Sequence, residues 1–363
     1  MLEIDGSYGE GGGQILRSSL TLSLLTGKPF KLINIRVKRK KPGLMPQHLA
    51  CVKACKELSQ AKTTGDSLGS TTLVFEPRTE PKAGRYFFDI GTAGATTLVF
   101  QTIFLPLSLA KGAEVILKGG THVPYSPTYH YLEYVYEPML ASFGFKAELK
   151  LERAGFYPAG EGIIRAKIPP AEDLKCPLFC EKSQDNGSQA FGLERVLIIS
   201  LISKDLPRHI LERQAKSALG YFKSFSEISR LDELCEVKQE VVESSSPGTM
   251  CFVLLKGGSL RAGFSSLGAR GLPAEEVGKS SAKLALEFLR KGAQVDPYLA
   301  DQLVLPLAYL VYLGKATSMS YTTSSITMHL ITQAWLVPLF LEGLRISVNN
   351  LDDGKGVVRI ERS

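Results

Sequence analysis

Apolar positions along this chain follow one plan three times: an apolar helical stretch, a Gly or Lys-Gly stop, a strand, a second helix, then paired strands. The first repeat predicts a helix over 14–25 stopped by Gly27, a strand over 30–37, a helix over 47–58 and a strand over 71–75. The second predicts a helix over 95–110 before Gly112, a strand over 114–117, a helix over 129–143 and strands over 146–151 and 162–168. The third predicts a helix over 301–313 before Gly314, a strand over 316–321, a helix over 329–341 and strands over 344–348 and 357–360. Each unit is about 80 residues long. Between the second and third repeats the pattern changes to a polar linker over 181–188, a strand over 195–203, a helix over 208–225 and strands over 235–242, 250–255 and 259–264. A helix over 274–290 then returns the chain to the main body. The expected fold is α/β (α+β): three repeated units of two helices packed on a small β-sheet (1–183 and 274–363), with a smaller inserted α/β domain over 184–273.

Composition fits that picture, because 363 residues with 44% hydrophobic content can bury a large core. The longest apolar runs, such as 303–313, fall short of the ~20 residues needed to span a bilayer, and the first residues lack the basic and apolar regions of a signal peptide. A soluble, cytoplasmic protein without membrane contact is expected. Six cysteines stand as Cys51 with Cys55, Cys176 with Cys180, then Cys235 and Cys251, none in a C-x-x-C arrangement, which suits reduced, mostly buried thiols.

Charge narrows the function. The net charge is only +7, so a general nucleic-acid coat is excluded and a polyanionic partner at a local site is favoured. From Gly11 to Lys56 there are ten lysines and arginines and no carboxylate. This stretch opens on Gly9-Glu10-Gly11-Gly12-Gly13 and runs into Gln14, Ile15, Leu16 and Arg17. Glycines allow close backbone approach, a helix starting near Gln14 would aim N–H groups at an anion, and arginines grip phosphate oxygens in pairs. Glu10, the single acid beside this segment, is suited to hold a divalent cation that bridges phosphates. The counterpart in the second repeat is Gly91-Thr92-Ala93-Gly94-Ala95-Thr96-Thr97, and in the third Tyr298-Leu299-Ala300-Asp301-Gln302.

Among five histidines, His209 reads as a surface residue, and His122 and His130, flanking a Pro- and Tyr-rich loop, read as structural. His48, beside Gln47, suits a phosphate contact or a structural role equally. His329 follows Thr322-Thr323-Ser324-Ser325-Ile326-Thr327-Met328 at the start of a strongly apolar helix. A helix N-terminus disfavours imidazolium and favours anions, which suits a neutral nitrogen attacking phosphorus, although a hydrogen-bonded helix-end role is the commoner one. Asp301 is open to three readings: a helix N-terminal stabiliser, a group orienting His329 through its other ring nitrogen, or a ribose contact. No Walker lysine motif, H-E-x-x-H or G-x-S-x-G occurs.

Taken together, Gly9 through Arg17, Lys41-Pro42-Gly43-Leu44 with Gln47-His48, Gly155-Phe156-Tyr157-Pro158-Ala159-Gly160-Glu161-Gly162, Tyr298 through Gln302 and His329-Leu330-Ile331-Thr332 closely resemble the RNA 3'-terminal phosphate cyclase family, essentially from end to end. The resemblance implies conversion of an RNA 3'-phosphate to a 2',3'-cyclic phosphate at the expense of ATP, through a covalent histidine-AMP and an RNA-adenylate anhydride. It implies His329 as the nucleophile and Glu10 as ligand of Mg2+ or Mn2+. Gln101, Tyr298, Leu299, Ala300, Asp301 and Gln302 match ATP-binding positions, with Pro127 facing Tyr298 across the adenine. Gln14, Arg17, Arg36, Arg39 and Gln47 match contacts to phosphate and the RNA end. RNA with a 3'-phosphate end and ATP are the implied partners, and assembly into a homodimer is left open. A noncatalytic RNA-binding ribosome-assembly factor on the same fold is the alternative, but such relatives lose the histidine and the glycine-rich and Asp-Gln motifs. An enolpyruvyl transferase shares the repeated architecture without the His329 motif.

Overall fold

A computed structural model describes residues 1–180, 191–224, 233–351 and 354–363. The predicted linker over 181–188 and the end of the predicted helix at 225 lie outside the described residues.

The first unit comprises β1 (Leu2–Asp5), α1 (Gln14–Thr26), β2 (Phe30–Ile33), α2 (Pro46–Ser59), β3 (Lys62–Thr64) and β4 (Leu73–Glu76). Its sheet order is β1-β2-β4-β3, with β1 parallel to β2 and the remaining pairs antiparallel. The second unit repeats this with β5 (Gly84–Asp89), α3 (Thr96–Leu109), β6 (Ala113–Gly119), α4 (Tyr129–Tyr131) continuing through a π turn (Leu132–Tyr136) into α5 (Glu137–Ala141), then β7 (Glu148–Arg153) and β8 (Gly162–Ile168). Its order, β5-β6-β8-β7, and its parallel first pair are the same. The leading strands β1 and β5 and the short β3 are additions to the pattern read from sequence. They are short and alternate poorly, so their apolar signal is weak.

Between the repeats lie β9 (Arg195–Ser203), α6 (His209–Lys223), β10 (Cys235–Val242), β11 (Thr249–Gly257), β12 (Leu260–Leu267) and α7 (Ala274–Lys291). The order β10-β9-β11-β12 places the first strand inside the sheet, so this region is not a fourth copy of the repeat. Helix α7, read from sequence as rejoining the main body, packs on α6, β11 and β12. Its acidic first turn, basic last turn and left-handed Gly292 are ordinary helix-end chemistry, and its buried face carries Val277, Ala282, Ala285, Leu286 and Phe288.

The third unit has α8 (Pro297–Tyr312), β13 (Ser318–Thr323), α9 (Met328–Phe340), β14 (Leu344–Asn350) and β15 (Gly356–Arg362). Its leading strand is reduced to a single parallel bridge between Val295 and Thr323. Helix α8 begins four residues before the predicted helix, because Asp296 caps it and Pro297 fills the first helical position.

The first helices of the units meet in the interior. α1 packs on α3 and α9, and α8 packs on α9. This junction is polar as well as apolar: Thr21 Oγ1 donates to the Thr102 carbonyl at 2.7 Å and Gln333 Nε2 donates to Ser18 Oγ at 2.7 Å. Asp296 closes a second junction. Fully buried, it accepts from Tyr298 N–H and Leu299 N–H at 2.9 Å each, from Tyr131 Oη at 3.0 Å and from Gly263 N–H at 3.3 Å. One carboxylate thus ties the third unit to the second and to β12. Gly263 is required there: a Cβ would lie 2.7 Å from Val135 Cγ2 in the π turn.

The interdomain strands also dock on the second unit through an ordered relay. Gly155 N–H donates to Thr121 Oγ1, which meets His122 Nδ1 at 2.7 Å; His122 Nε2 meets His130 Nδ1 at 2.9 Å, and His130 Nε2 meets Glu240 Oε2 at 3.0 Å. The rings stand between Thr121 and Glu240 with each ring nitrogen hydrogen-bonded, which suits the structural role read from sequence. Burial drives His122 well below the ordinary histidine range. No helix among the described residues is long and apolar enough to cross a membrane, and among the described residues no disulfide joins the six cysteines, three of which are buried.

Two stability predictions follow from these junctions. Replacing Asp296 with Ala strands a buried phenol and several N–H groups and should cost about 3 kcal/mol or more, measured by urea unfolding; an unchanged midpoint would refute the junction. Burial works against ionised Glu240, but hydrogen bonds and charge from His130 and Lys238 overcome it and bring its pKa from 4.5 to about 2. The resulting stabilisation is present above pH 4.5 and lost as pH falls through about 2. The deficit of Glu240→Gln relative to the unsubstituted protein should therefore shrink across that window in acid-titrated unfolding.

Candidate functional site

Helix α1 starts at Gln14 on Gly13, and no side chain caps it. The glycines before it are tight by necessity. A Cβ at Gly13 would lie 2.2 Å from His48 Nε2, and Gly9 and Gly11 adopt φ of +57° and +58°. The loop therefore folds back against α2 and leaves the start of α1 facing the basic segment.

Gln14 is the joint of the site. Its Nε2 donates to Asp301 Oδ2 at 2.7 Å, which fixes the orientation of the amide. Its Oε1 accordingly accepts from His329 Nδ1 at 2.7 Å. The proton of His329 thus sits on Nδ1 and the lone pair on Nε2, which lies 3.5 Å from Glu10 Oε2. Glu10 is in turn paired with Arg39 at 2.9 Å. His329 stands second in α9, where Thr327 caps the helix by accepting from Leu330 N–H at 3.1 Å. Desolvation lowers the His329 pKa below 6.5, Glu10 opposes that, and Arg17 and Arg39 add to it. The imidazole is neutral near pH 7.

Asp301 lies in the second turn of α8 and neither caps the helix, which Asp296 does, nor touches His329 directly. It reaches the histidine through Gln14. Desolvation raises its pKa from 3.8 to about 7, with Arg17 opposing and Asp296 and Glu10 reinforcing. Arg17 is half-buried behind Gln14, and desolvation lowers its pKa while Cys51 and Asp301 counteract.

Other expected residues carry protein contacts of their own. Arg36 donates to the carbonyls of Lys41 at 2.8 Å and Gly43 at 2.9 Å, so it shapes the basic loop from within. The predicted strand over 30–37 ends at Ile33 for the same reason, since Asn34 and Arg36 turn left-handed at φ of +54° and +55°. Gln47 Oε1 accepts from Ala95 N–H at 2.9 Å and ties α2 to the second glycine-rich turn. His48 is buried, its Nδ1 accepts from Met45 N–H at 3.1 Å, and desolvation lowers its pKa to about 3, which makes it a structural residue.

In the third unit, Leu299 and Ala300 are fully buried in α8, and the Ala300 carbonyl accepts from Tyr321 Oη. They face the core, and the surface of this stretch belongs to Tyr298, Asp301 and Gln302. Gln302 accepts from Gln101 Nε2 at 2.5 Å, bringing those two together. Tyr298 is 46% exposed, with its ring near Phe264. Pro127 is held by Thr97 Oγ1, which donates to its carbonyl at 2.8 Å.

A polar cavity of about 70 Å³, lined by Gln14, Arg17, Gln101, Asp301 and Gln333 among others, lies behind the joint. Ligand pockets run to about 300 Å³ and more, so this cavity by itself is too small to enclose a nucleotide. No group of three or more His, Cys, Asp or Glu side chains suited to a metal occurs among the described residues. Glu10 alone fits a cation that takes most of its ligands from phosphate and water.

Sequence reasoning missed Asp296 as the helix cap, although Asp-Pro ahead of an apolar helix signals one. The Gln14 bridge had no such signal, because its partners lie 287 and 315 positions away.

Titration of His329 by long-range 1H–15N NMR should show an Nδ1-protonated neutral ring with a pKa below 6.5. Glu10→Gln should lower that pKa further, and an unchanged value would refute the coupling.

The protein-family model described as RNA 3'-terminal phosphate cyclase matches residues 8–346. The RNA 3'-terminal phosphate cyclase of Thermococcus kodakarensis is 41% identical over 369 residues, covering 100% of this chain and 98% of its own. That of Methylococcus capsulatus is 40% identical over 368 residues, covering 99% and 96%. That of Pyrococcus furiosus is 40% identical over 365 residues, covering 100% and 99%.

Proposed function

The chain belongs to the RNA 3'-terminal phosphate cyclase family, and from that premise we propose that it uses ATP to convert an RNA 3'-phosphate into a 2',3'-cyclic phosphate through a covalent His329-AMP. The observation that carries this reading is the Asp301–Gln14–His329 chain, with hydrogen bonds of 2.7 Å each, because it presents a neutral Nε2 lone pair to an arginine-rich surface. Cysteines without disulfides suit a reducing compartment, the cytoplasm.

In the first step His329 Nε2 attacks the α-phosphorus of ATP, an N–P bond forms, the α–β P–O bond breaks and pyrophosphate leaves. Positive charge develops on the ring, and its Nδ1–H already points at the Gln14 carbonyl, which the Asp301 carboxyl holds in place. The uncapped start of α1 and Arg17 supply fixed positive potential beside the reacting phosphate. Glu10 would hold Mg2+ or Mn2+ when bound, and such a cation offsets phosphate charge. Arg39, already paired with Glu10, keeps that carboxylate from repelling the nucleotide. An oxygen of the RNA 3'-phosphate then attacks the same phosphorus and breaks the N–P bond. Finally the adjacent 2'-OH attacks the terminal phosphorus, gives up its proton and expels AMP, which restricts cyclisation to RNA. Tyr298, Gln302, Gln101 and Pro127 would form the nucleoside side of the site, and Gln47 would meet phosphate through its Nε2.

Incubation with α-labelled ATP and a divalent cation should place an acid-labile, alkali-stable label on the protein and none on His329→Asn. Gln14→Ala, which leaves the nucleophile but frees its ring, should slow labelling roughly 10- to 100-fold. A folded protein that never labels under several metals would sink the catalytic reading and leave the RNA-binding assembly factor.

A further inference from the structure

Two tyrosines stand out from the surface beside the second glycine-rich turn. Tyr125 is completely exposed and Tyr157 is 72% exposed, while most other aromatic rings of the second unit are packed. Each sits at the tip of a loop fastened on both sides. The Tyr125 loop is held where Val123 packs with Ala93, Ala95 and Leu98, where Ser126 Oγ donates to the Val123 carbonyl at 3.0 Å, and where Thr97 grips Pro127. Tyr125 itself adopts φ of +63°, an expensive conformation for a tyrosine, and the ring it carries makes no core contact in return. The Tyr157 loop is closed by Gly160 N–H donating to the Phe156 carbonyl at 2.8 Å and by Ala159 N–H donating to Ser246 Oγ at 3.1 Å.

The two loops share one base. His122 pairs with Phe156 in a parallel bridge, their rings stack at 5.3 Å, and His122 N–H donates to the Gly155 carbonyl at 3.0 Å. Both loops also rest on the same turn: Val123 packs on Ala93, and a Cβ at Gly160 would lie 2.7 Å from Ala93 Cα. That turn is tied by Ala95 N–H to Gln47, which follows directly on the basic loop where Lys40 and Lys41 are exposed. Rigid, unpartnered aromatic rings continuous with a basic phosphate-binding surface are the composition that binds unpaired nucleic acid, with charge tracking the backbone and rings taking the bases.

Resting on the cyclase reading, we propose that Tyr125 and Tyr157 form a stacking platform for unpaired bases at the 3' end of single-stranded RNA. The terminal phosphate enters the basic site, and the bases behind it lie on the two rings. Because the rings act by their faces, Tyr→Phe should be tolerated at both positions. Tyr125→Ala with Tyr157→Ala should raise KM for the RNA without impairing formation of the histidine-AMP, which involves no RNA.

The test uses the full chain and a short oligoribonucleotide ending in a 3'-phosphate with 2-aminopurine as its last base, whose fluorescence is quenched by stacking. Binding is read first without ATP. The double Ala variant should bind about tenfold more weakly and lose the quenching, whereas the double Phe variant should retain both. With an abasic 3'-terminal residue in place of the fluorescent base, part of that difference should vanish. Equal affinity and equal quenching in the unsubstituted protein and the double Ala variant would overturn the platform, whatever the catalytic result. Loss of ATP labelling in Tyr125→Ala would also overturn it, by assigning that ring to the nucleotide. If the unsubstituted protein neither labels nor cyclises, the underlying enzymatic reading fails, an outcome separate from these comparisons.

Discussion

The amide of Gln14 decides how the ends of this chain work together. It stands at the first position of α1, in the first unit, yet both its polar atoms are spent on the third unit, Nε2 on Asp301 and Oε1 on His329. An amide can donate from only one end, so the carboxyl on one side dictates which atom faces the imidazole on the other. A glutamate at this position would set two carboxyl groups against each other, and an alanine would leave the ring free to rotate. The packing of α1 against α9 and α8 against α9 is therefore a condition of the chemistry as well as of the core.

The electrostatics around that joint balance opposing demands. The proposed role of His329 asks for a neutral imidazole facing a surface that attracts phosphate. Desolvation and the nearby arginines satisfy both, since each disfavours imidazolium and the arginines favour the anion. Glu10 works the other way, and its pairing with Arg39 limits that opposition. Asp301, lifted to about 7 by desolvation, sits near its own titration at neutral pH, so the strength of its hold on Gln14 falls as the solution is made acidic.

Much of the architecture was legible because the apolar period of the repeated helices is strong. Helices at Gln14–Thr26, Thr96–Leu109 and Met328–Phe340 fall within about a residue of their predicted bounds, and β8, β9 and β10 coincide with theirs. What was not legible had little local signal. The leading strands are four to six residues long or a single bridge, and their pairing is set by distant partners. The internal division of the basic segment was not legible: Arg36 turns inward to two carbonyls while Arg39 stays outside. Likewise His48 and His329 both stand in the first turn of a helix, and only tertiary packing separates the buried ring from the accessible one.

The repeated units also differ at one place in a way that makes the threefold architecture asymmetric. Each unit delivers a helix N-terminus to an equivalent place, but two of the three are closed by the protein's own groups. In the second unit Ala95 N–H is taken by Gln47 and Thr96 N–H by the Gly120 carbonyl. In the third, Asp296 takes the N–H groups of Tyr298 and Leu299. Helix α3, like α1, lacks a side-chain cap, but of the three starts α1 alone stands on a run of glycines and beside an arginine, Arg17. Tying two starts to the protein's own groups, by a carboxylate cap in α8 and by Gln47 and Gly120 at α3, while the third stands on glycines, makes the repeated scaffold asymmetric. The closed starts become the framework: one positions Gln47 and the loops above it, the other sets α8 so that Asp301 reaches Gln14. The glycine-rich start, the oriented histidine and the basic loop then converge from opposite ends of the sequence on one face of the protein.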